Sequence, residues 1–477
     1  MEELLKYVVN VGLGEGAEYV EARYHKLTES YIAMRFDKVI SIGKSVREGV
    51  GIRVLVKGSL GFASTNILTK EALEETVKKA VIKAEALARQ YREPVEFANA
   101  KVEEVKYDVK PKMKFEDVSV EDKIKQYKQL LNNLRASLKK AKLQTFFIGQ
   151  VESIERKYLI TSEGAKVESI IPRIMVYGGY TVHSPEKGTM QRTFMKGGSG
   201  GLELLAKWDL VRNVPEEAKR LEEVLLKGVS PPKGKVDVIV GSEVVGLIVH
   251  ESCGHPSEAD RILGREAAQA GESFIKKDMV GKRIGSEKAT VIDSPTIPGS
   301  YGYYLYDDEG VRARQKYLYK NGVINEFLHN RWTAKVFGVE SNGSARAADY
   351  TSEPIIRMSN TYLEPGKLSF EELLEDIKSG VYIKSFMEWN IDDIRWSQRY
   401  VGLEAYLIEH GEIKGYVKYP VLEITTEGFY SNIEAVDRNL EFHAGTCGKG
   451  EPLQGVPVWF GGPNVKLKNI MLGVAPY

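Results

Sequence analysis

Cysteine is scarce in this sequence. Among 477 residues there are two, Cys253 and Cys447. Two cysteines cannot form the disulfide framework that stabilises many secreted domains. The first residues of the chain also lack the basic region and the small-residue cleavage site of a secretory signal. We therefore expect a cytoplasmic protein with reduced thiols.

The sequence has no excess of charge of one sign, and it has no long hydrophobic run. Its 67 basic and 66 acidic residues leave a formal net charge of +1. No basic cluster stands out, so direct binding to nucleic acid is not expected. No stretch of about 18 or more apolar residues occurs, so no membrane span is expected. The hydrophobic fraction of 43% is enough for large buried cores.

The length predicts two or three domains, at about 150 residues per domain. The best linker candidate is residues 227–234, where a proline pair lies between lysine and glycine residues. We predict two domains, at residues 1–228 and 229–477. The predicted fold class is α+β. An N-terminal α/β-type domain of antiparallel strands and helices precedes a β-rich C-terminal domain, which carries the helix after Ser242.

Hydrophobic periodicity and turn residues locate the main elements. Alternating apolar and polar residues predict strands between residues 18 and 66. Helices are predicted after three capping residues, Thr69, Ser119 and Ser242. The first of these helices is expected to continue to about Tyr91. The glycine-rich segment 197–201 is predicted to be a flexible loop.

One short segment carries the residues of a metal-dependent hydrolase. The chain has seven histidines, and among them His250 and His255 lie close together, with Glu251 directly after the first. Two neutral imidazoles can bind a zinc ion, and an adjacent glutamate can accept a proton from the activated water. The segment therefore predicts a catalytic zinc site.

The spacing of this motif is unusual. Glu251 and His255 are separated by three residues, whereas the familiar zinc motif has two. At about 100° per residue, His250 and His255 would project about 140° apart from a regular α-helix and could not reach one metal. We expect a distortion at Gly254. It is either a π-bulge, whose wider turn brings the two rings together, or the end of the helix.

The motif supplies two ligands, whereas a catalytic zinc usually takes three from the protein. Local candidates for the third ligand are Glu258 and Asp260. A distant candidate is Cys447, which lies between glycines that leave room for the close approach of a metal. The residues alone leave this choice open.

Two alternatives to a catalytic site follow from the same residues. The segment could be a core helix whose histidines, His250 and His255, are merely buried and hydrogen-bonded. Alternatively, Cys253 and Cys447 could join them in a closed structural zinc site, which would leave the glutamate without a role. His443 could also be a ligand, although it is more typical of a polar loop residue.

Several segments together resemble the TldD/PmbA family of peptidases, and the resemblance spans nearly the whole chain. The segments that carry it are residues 48–54, 61–63, 249–255 with Glu258 and Asp260, 307–310, 357–362, 447–449 and 456–458. The PmbA type of this family, also called TldE, lacks the histidine–glutamate motif. Because the motif is present here, the chain resembles the TldD type.

The resemblance implies a site and an activity. Zinc is expected to be held by His250, His255 and Cys447, with Glu251 as general base. The expected activity is hydrolysis of unfolded or extended peptides inside a closed dimer. The second subunit would be another copy of the chain or a motif-less PmbA/TldE-type partner.

The competing hypothesis is a non-enzymatic interaction or regulatory protein with a structural zinc. The family has been associated with modulation of a topoisomerase and with antitoxin systems, and binding alone could explain both. Glu251 separates the two hypotheses, because a structural site has no use for a carboxylate beside an open coordination position.

Overall fold

The computed structural model describes residues 1–90, 93–266 and 271–475 of the chain. Helices and strands both contribute throughout, and the predicted mixed α+β class is confirmed. No helix among the described residues is both long and apolar enough to span a membrane.

The N-terminal half is built on one seven-stranded sheet. Its strands are β1 (Tyr19–Arg35), β2 (Lys38–Val56), β3 (Ser59–Thr65), β4 (Glu104–Asp108), β5 (Lys142–Thr161), β6 (Lys166–Ser184) and β7 (Gly188–Ser199). The spatial order is β3-β2-β1-β5-β6-β4, and β7 also pairs with β6. Neighbouring strands are antiparallel, except that β4 runs parallel to β6.

Helices pack against this sheet in two groups. The helices are α1 (Glu2–Gly14), α2 (Lys70–Ala88), α3 (Val120–Ser137), α4 (Glu203–Trp208) and α5 (Leu210–Lys227), and a 3₁₀ turn precedes α3 at Phe115–Asp117. One apolar cluster joins α1 and α2 to β1, β2 and β3. A second joins α3 and α5 to β5, β6 and β7. Burial of apolar side chains thus holds the helices to the sheet.

The capping residues predicted for the first two helices are confirmed. The Thr69 hydroxyl accepts a hydrogen bond from the Ala72 amide at 3.3 Å, and that of Ser119 accepts one from the Asp122 amide at 3.1 Å. Each bond satisfies an amide that has no partner within the helix. The helix after Thr69 ends at Ala88, and the predicted end near Tyr91 lies outside the described residues.

The C-terminal half is richer in strands. They are β8 (Lys235–Val240), β9 (Val291–Asp293), β10 (Lys316–Lys320), β11 (Val323–Ile324), β12 (Ala345–Arg346), β13 (Ile355–Ile356), β14 (Asn360–Leu363), β15 (Ser379–Ile383), β16 (Phe386–Ile391), β17 (Ser397–Gly402), β18 (Ala405–Glu409), β19 (Glu412–Tyr416), β20 (Pro420–Thr425), β21 (Ile433–Val436), β22 (Glu441–Lys449), β23 (Gln454–Gly462) and β24 (Val465–Val474). Short helices connect them: α6 (Ser242–Val249), α7 (Ala259–Ile262), α8 (Arg331–Phe337), α9 (Phe370–Leu374) and α10 (Thr426–Ser431). Further helical turns lie at His250–Gly254, His255–Ser257 and Lys277–Met279.

Two large sheets enclose the helix that carries the histidine motif. One has nine strands, ordered β16-β17-β20-β24-β8-β15-β18-β19, with β21 also paired to β24. The other has six, ordered β11-β10-β9-β14-β23-β22, and β12 and β13 form a separate pair. Helix α6 leaves the first sheet at the end of β8 and packs on β14, β22 and β23 of the second. Its apolar side chains belong to the largest core cluster, which fixes the helix in place.

Two local predictions are wrong. Ser242 is the first residue of α6 and not its cap, which is Gly241, and the Ser242 hydroxyl instead donates to the Glu441 carbonyl at 3.3 Å. The predicted loop at residues 197–201 is in part the end of β7. Glycine is needed there because a Cβ at residue 197 would lie 3.0 Å from the Ala444 Cβ. These glycines allow the two halves of the chain to approach closely.

The predicted domain boundary between residues 228 and 229 stays a prediction. Among the described residues, no strand of the seven-stranded sheet pairs with a strand of the C-terminal sheets. Nevertheless, one apolar cluster contains Leu221 and Val224 of α5 together with Leu403 and Tyr419 of the C-terminal half. The two halves are therefore separate in strand pairing but share buried apolar surface.

This arrangement predicts the result of limited proteolysis. Lys233 and Lys235 are exposed on either side of Gly234, which has a φ of 84°. Trypsin is expected to cut there early, because an exposed turn is a preferred site of nicking. The two fragments should co-elute in gel filtration under native conditions, because they share an apolar cluster. Early cleavage elsewhere, with residues 227–235 intact, would contradict the linker.

Candidate metal centre

The histidine motif adopts a π-helical turn. Helix α6 continues into the turn His250–Gly254, and the His255 amide donates to the His250 carbonyl five residues earlier. This bond is the defining feature of a π turn. The rings of His250 and His255 lie with their centroids 5.0 Å apart. Of the two expected distortions, the π-bulge is present, and it brings together two side chains that a regular α-helix would separate.

Gly254 is required by close packing at the end of this turn. A Cβ on this residue would lie 1.9 Å from the sulfur of Met358, whose side chain is fully buried. A side chain at this position would displace either Met358 or the turn itself. The expected distortion at Gly254 therefore coincides with a position that has no room for a side chain.

Three potential metal ligands converge at the turn. Donor atoms of His250, His255 and Cys447 all lie within 4.8 Å of one another, and the three residues are buried. Cys447 is on β22, and its sulfur is 3.5 Å from Nε2 of His255. Two imidazole nitrogens and one thiolate form a donor set that suits zinc. The structure thus brings together the residues that the family resemblance implies as ligands.

Electrostatics favours the protonation states that bind a metal. Burial lowers the pKa of His250 and of His255, which favours the neutral imidazoles. Burial disfavours the thiolate of Cys447, but the neighbouring His255 and Arg357 outweigh burial and lower the pKa of this thiol to about 7. Neutral imidazoles and a readily formed thiolate are the ligand forms that zinc requires.

Glu258 orients one of the histidines. Its Oε2 accepts a hydrogen bond from Nδ1 of His255 at 3.0 Å, which leaves Nε2 as the acceptor nitrogen facing Cys447. Such a carboxylate behind a ligand histidine fixes the tautomer and the ring orientation. Burial disfavours the charged form of Glu258, but Lys449, His255 and Arg261 outweigh burial and hold its pKa well below the usual range.

The local candidates for the third ligand therefore have other partners. Glu258 also lies 3.3 Å from Nζ of Lys449, and Asp260 accepts from the same nitrogen at 2.7 Å. Neither carboxylate belongs to the donor group of His250, His255 and Cys447. Both instead neutralise a lysine that is completely buried.

Cys253 and His443 also lie outside the donor group. Cys253 is fully buried in the main apolar cluster and faces Ser257 and Tyr319, and burial raises the pKa of its thiol well above the usual value. His443 is stacked on Phe460, and its Nε2 is 3.3 Å from the Ser242 hydroxyl. The arrangement of these side chains does not form a closed Cys2His2 site.

Glu251 faces the same space as the three potential ligands. It lines a cavity of about 310 Å³ together with His250, His255 and Cys447. Its Oε2 accepts a hydrogen bond from Nη1 of Arg395. A carboxylate held beside an open metal position can act as a general base.

Arg395 is not among the residues predicted for the site. It lies 144 residues from Glu251, in the turn between β16 and β17, and no local pattern marks it. Its φ of 68° is unusual for a residue other than glycine. The Thr426 hydroxyl donates to its carbonyl at 2.8 Å and helps to hold this conformation. The strained turn points the guanidinium at Glu251.

Comparison with known proteins covers most of the chain. The family description "PmbA/TldA metallopeptidase" matches in three parts: domain 1 at residues 20–84, the central domain at 114–226 and the C-terminal domain at 233–474. The C-terminal match contains all three potential ligands and Glu251. The family therefore divides the N-terminal half into two units, at residues 20–84 and 114–226.

Relatives that align with nearly the full length of this chain are named metalloproteases. A metalloprotease of Methanocaldococcus jannaschii is 33% identical over 453 residues, which cover 95% of this chain and 96% of that protein. The zinc metalloprotease TldD homolog of Saccharolobus solfataricus is 29% identical over 464 residues, which cover 96% and 97% of the two chains.

The fold also matches a solved structure. The crystal structure of TldE from Thermococcus kodakarensis aligns with a TM-score of 0.76 at 18% identity, covering 98% of this chain and 100% of that chain. At this identity the likeness shows the fold alone. The family match and the relatives establish that the chain belongs to the TldD/PmbA family of metallopeptidases, as a member of the TldD type.

Proposed function

We propose that this chain is a zinc-dependent peptidase that hydrolyses unfolded or extended peptides. The observation that carries the proposal is the open donor group. His250, His255 and Cys447 supply three ligands, and among the described residues no fourth His, Cys, Asp or Glu joins them. Three protein ligands beside a cavity are typical of a catalytic zinc, whereas a structural zinc has four.

Glu251 is the general base of the proposed reaction. Zinc, when bound, polarises the scissile carbonyl and makes water more acidic. The Glu251 carboxylate accepts a proton from water as the water oxygen bonds to the carbonyl carbon. As the carbon–nitrogen bond breaks, the same carboxyl group returns the proton to the leaving amine. The hydrogen bond from Arg395 holds this carboxylate in place at Oε2.

The strand that carries Cys447 supports an extended substrate. β22 is the last strand of the six-stranded sheet, and among the described strands it pairs with β23 alone. Backbone groups on its outer edge can therefore pair with a peptide in the manner of an added strand. A cavity of about 310 Å³ admits such a chain and excludes a folded domain.

We further propose that the chain acts as a cytoplasmic dimer, with a second copy or with a motif-less PmbA/TldE-type partner. Its cysteines are both free thiols, which suits a reducing compartment. The long β1–β2 hairpin exposes Ile40, Ile42 and Val46, at 63%, 52% and 57% of their surface. An exposed apolar group of this kind is typical of a protein–protein contact.

Removal of a single ligand predicts loss of the metal. The purified chain should contain about one zinc per molecule, as a site with three protein ligands does. Cys447→Ala should lose most of it, because a buried thiolate ligand is removed. Cys253→Ser is the matched control, since this cysteine is also buried but does not belong to the donor group. Elemental analysis of zinc per chain tests both. Loss of zinc in Cys253→Ser and retention in Cys447→Ala would overturn the ligand set.

Replacement of the proposed general base is expected to give a folded, zinc-binding but inactive protein. Glu251→Gln keeps the size of the side chain and removes its ability to accept a proton, so peptide turnover should fall by about 10²–10⁴-fold. Zinc content should change little because Glu251 is not a ligand. The melting temperature of the same preparation should fall but the fold should remain, because the glutamine oxygen still accepts a hydrogen bond from Arg395 although the negative charge is lost. Near-normal turnover with full zinc would remove Glu251 from the mechanism. No turnover by the zinc-loaded parent protein would favour the non-enzymatic hypothesis.

Light scattering tests the dimer. At micromolar concentration the chain, alone or mixed with a PmbA/TldE-type partner, should have the mass of a dimer. Ile42→Glu places a charge in the exposed apolar group of the hairpin and should shift the mass towards the monomer. Ile82→Glu is the control, because Ile82 is 64% exposed on α2 and outside this group. Monomers in every mixture would contradict the proposal.

A further inference from the structure

A second cavity lies directly beside the metal cavity. It has a volume of about 290 Å³, and Phe460 lines both cavities. The Phe460 ring lies 6.3 Å from the His250 ring and 5.8 Å from the His443 ring, measured between centroids. Phe460 therefore forms a wall that the two cavities share.

Aromatic rings line this second cavity. They are Phe147, Tyr177, Phe194, Phe386 and Phe460. The first three lie on β5, β6 and β7 of the N-terminal sheet, and the other two on β16 and β23. Such a concave aromatic surface favours a large apolar guest, because burying the guest removes apolar surface from water on both sides. A space of about 290 Å³ is sufficient for one large side chain.

The charged side chains that line the cavity are two cations and one carboxylate. Arg192 makes hydrogen bonds of 2.8 and 3.0 Å to the two carboxylate oxygens of Glu243 and one of 3.0 Å to Glu217, which lies outside the cavity, so its charge is compensated. Lys196 lines the same cavity and makes no ion pair with any described residue. Among the lining residues, Lys196 is thus the charged group without an opposite charge beside it, and its ammonium group disfavours a cationic guest.

The second cavity lies where it could receive a side chain of the substrate near the cleaved bond. In the β22–β23 pair, Cys447 lies opposite Val456, whereas His443 lies opposite Phe460. Four residues of strand span about 13 Å, and alternate side chains of an extended peptide lie on one side. A peptide that pairs with β22 and is cleaved near Cys447 thus places a side chain two to four residues away over the second cavity.

We propose that this cavity is a specificity pocket, which accepts a large apolar or aromatic side chain of the peptide and rejects lysine and arginine. The inference rests on the proposed function, since it assigns the pocket to the substrate of the metal centre. The guest side chain belongs to a residue within four positions of the scissile bond.

A peptide series tests the pocket by binding. The peptides share one extended sequence in which a single position carries Phe, Gly or Lys. In successive sets, this variable position is each of the four residues on either side of the scissile bond. Their dissociation constants are measured by calorimetry on zinc-loaded Glu251→Gln, which does not consume them. At one position Phe should bind on the order of tenfold more tightly than Gly, and Lys more weakly than Phe. Equal affinities at every position would overturn the pocket.

Two variants assign the preference to this cavity. Lys196→Glu reverses the sign of the unpaired charge and should raise the affinity for the Lys peptide at the position found above. Lys187→Glu is the matched control, because Lys187 is exposed in the turn before β7 and does not line the cavity. Phe147→Ala should weaken the Phe peptide without changing zinc content. Equal effects of the two lysine variants would overturn the assignment.

Cleavage of the same peptides separates this inference from the proposed function. If the zinc-loaded parent protein cleaves the series with the preference seen in binding, both are supported. If it cleaves every peptide equally, the specificity pocket is wrong and the peptidase stands. If it cleaves none while the binding preference and its reversal by Lys196→Glu persist, the peptidase is wrong and the pocket stands as a binding site.

Discussion

The candidate metal centre depends on one backbone feature, the π turn at the end of α6. His250 and His255 are five residues apart, and in a regular helix their rings would diverge. The bond from the His255 amide to the His250 carbonyl widens the turn and lets both rings face one point. Burial of α6 between two sheets and the contact of Gly254 with Met358 hold this rare conformation. The remaining parts of the site are arranged around it.

Features that follow from local geometry could be predicted from the sequence. The conflict between the histidine spacing and helix geometry was sufficient to predict the distortion at Gly254, and the caps at Thr69 and Ser119 likewise depend on neighbouring residues alone. Features set by distant contacts were missed. Arg395 meets Glu251 across 144 residues, and the glycines near residue 197 allow close packing and do not form a flexible loop.

The choice of third ligand shows the same limit. Spacing alone left Glu258, Asp260 and Cys447 as alternatives, and the family resemblance was needed to favour the cysteine. The structure supplies a physical reason in Lys449, which is completely buried and requires carboxylate partners. Cys447 and Lys449 are two residues apart on β22, so their side chains leave the strand on the same side. One strand thus provides both the thiol and the cation that engages the two competing carboxylates.

In the proposed function, the two cavities draw on different halves of the chain. The three potential ligands, Glu251 and Arg395 all belong to the C-terminal half. The aromatic cavity takes three of its five rings from the N-terminal sheet, which packs against β22 through the glycines of β7. The packing of β7 on β22 bears on both cavities, because β22 carries Cys447 in one and His443 in the other. In the proposed function, metal binding and side-chain selection are therefore coupled through β22 and through Phe460, which lines both cavities.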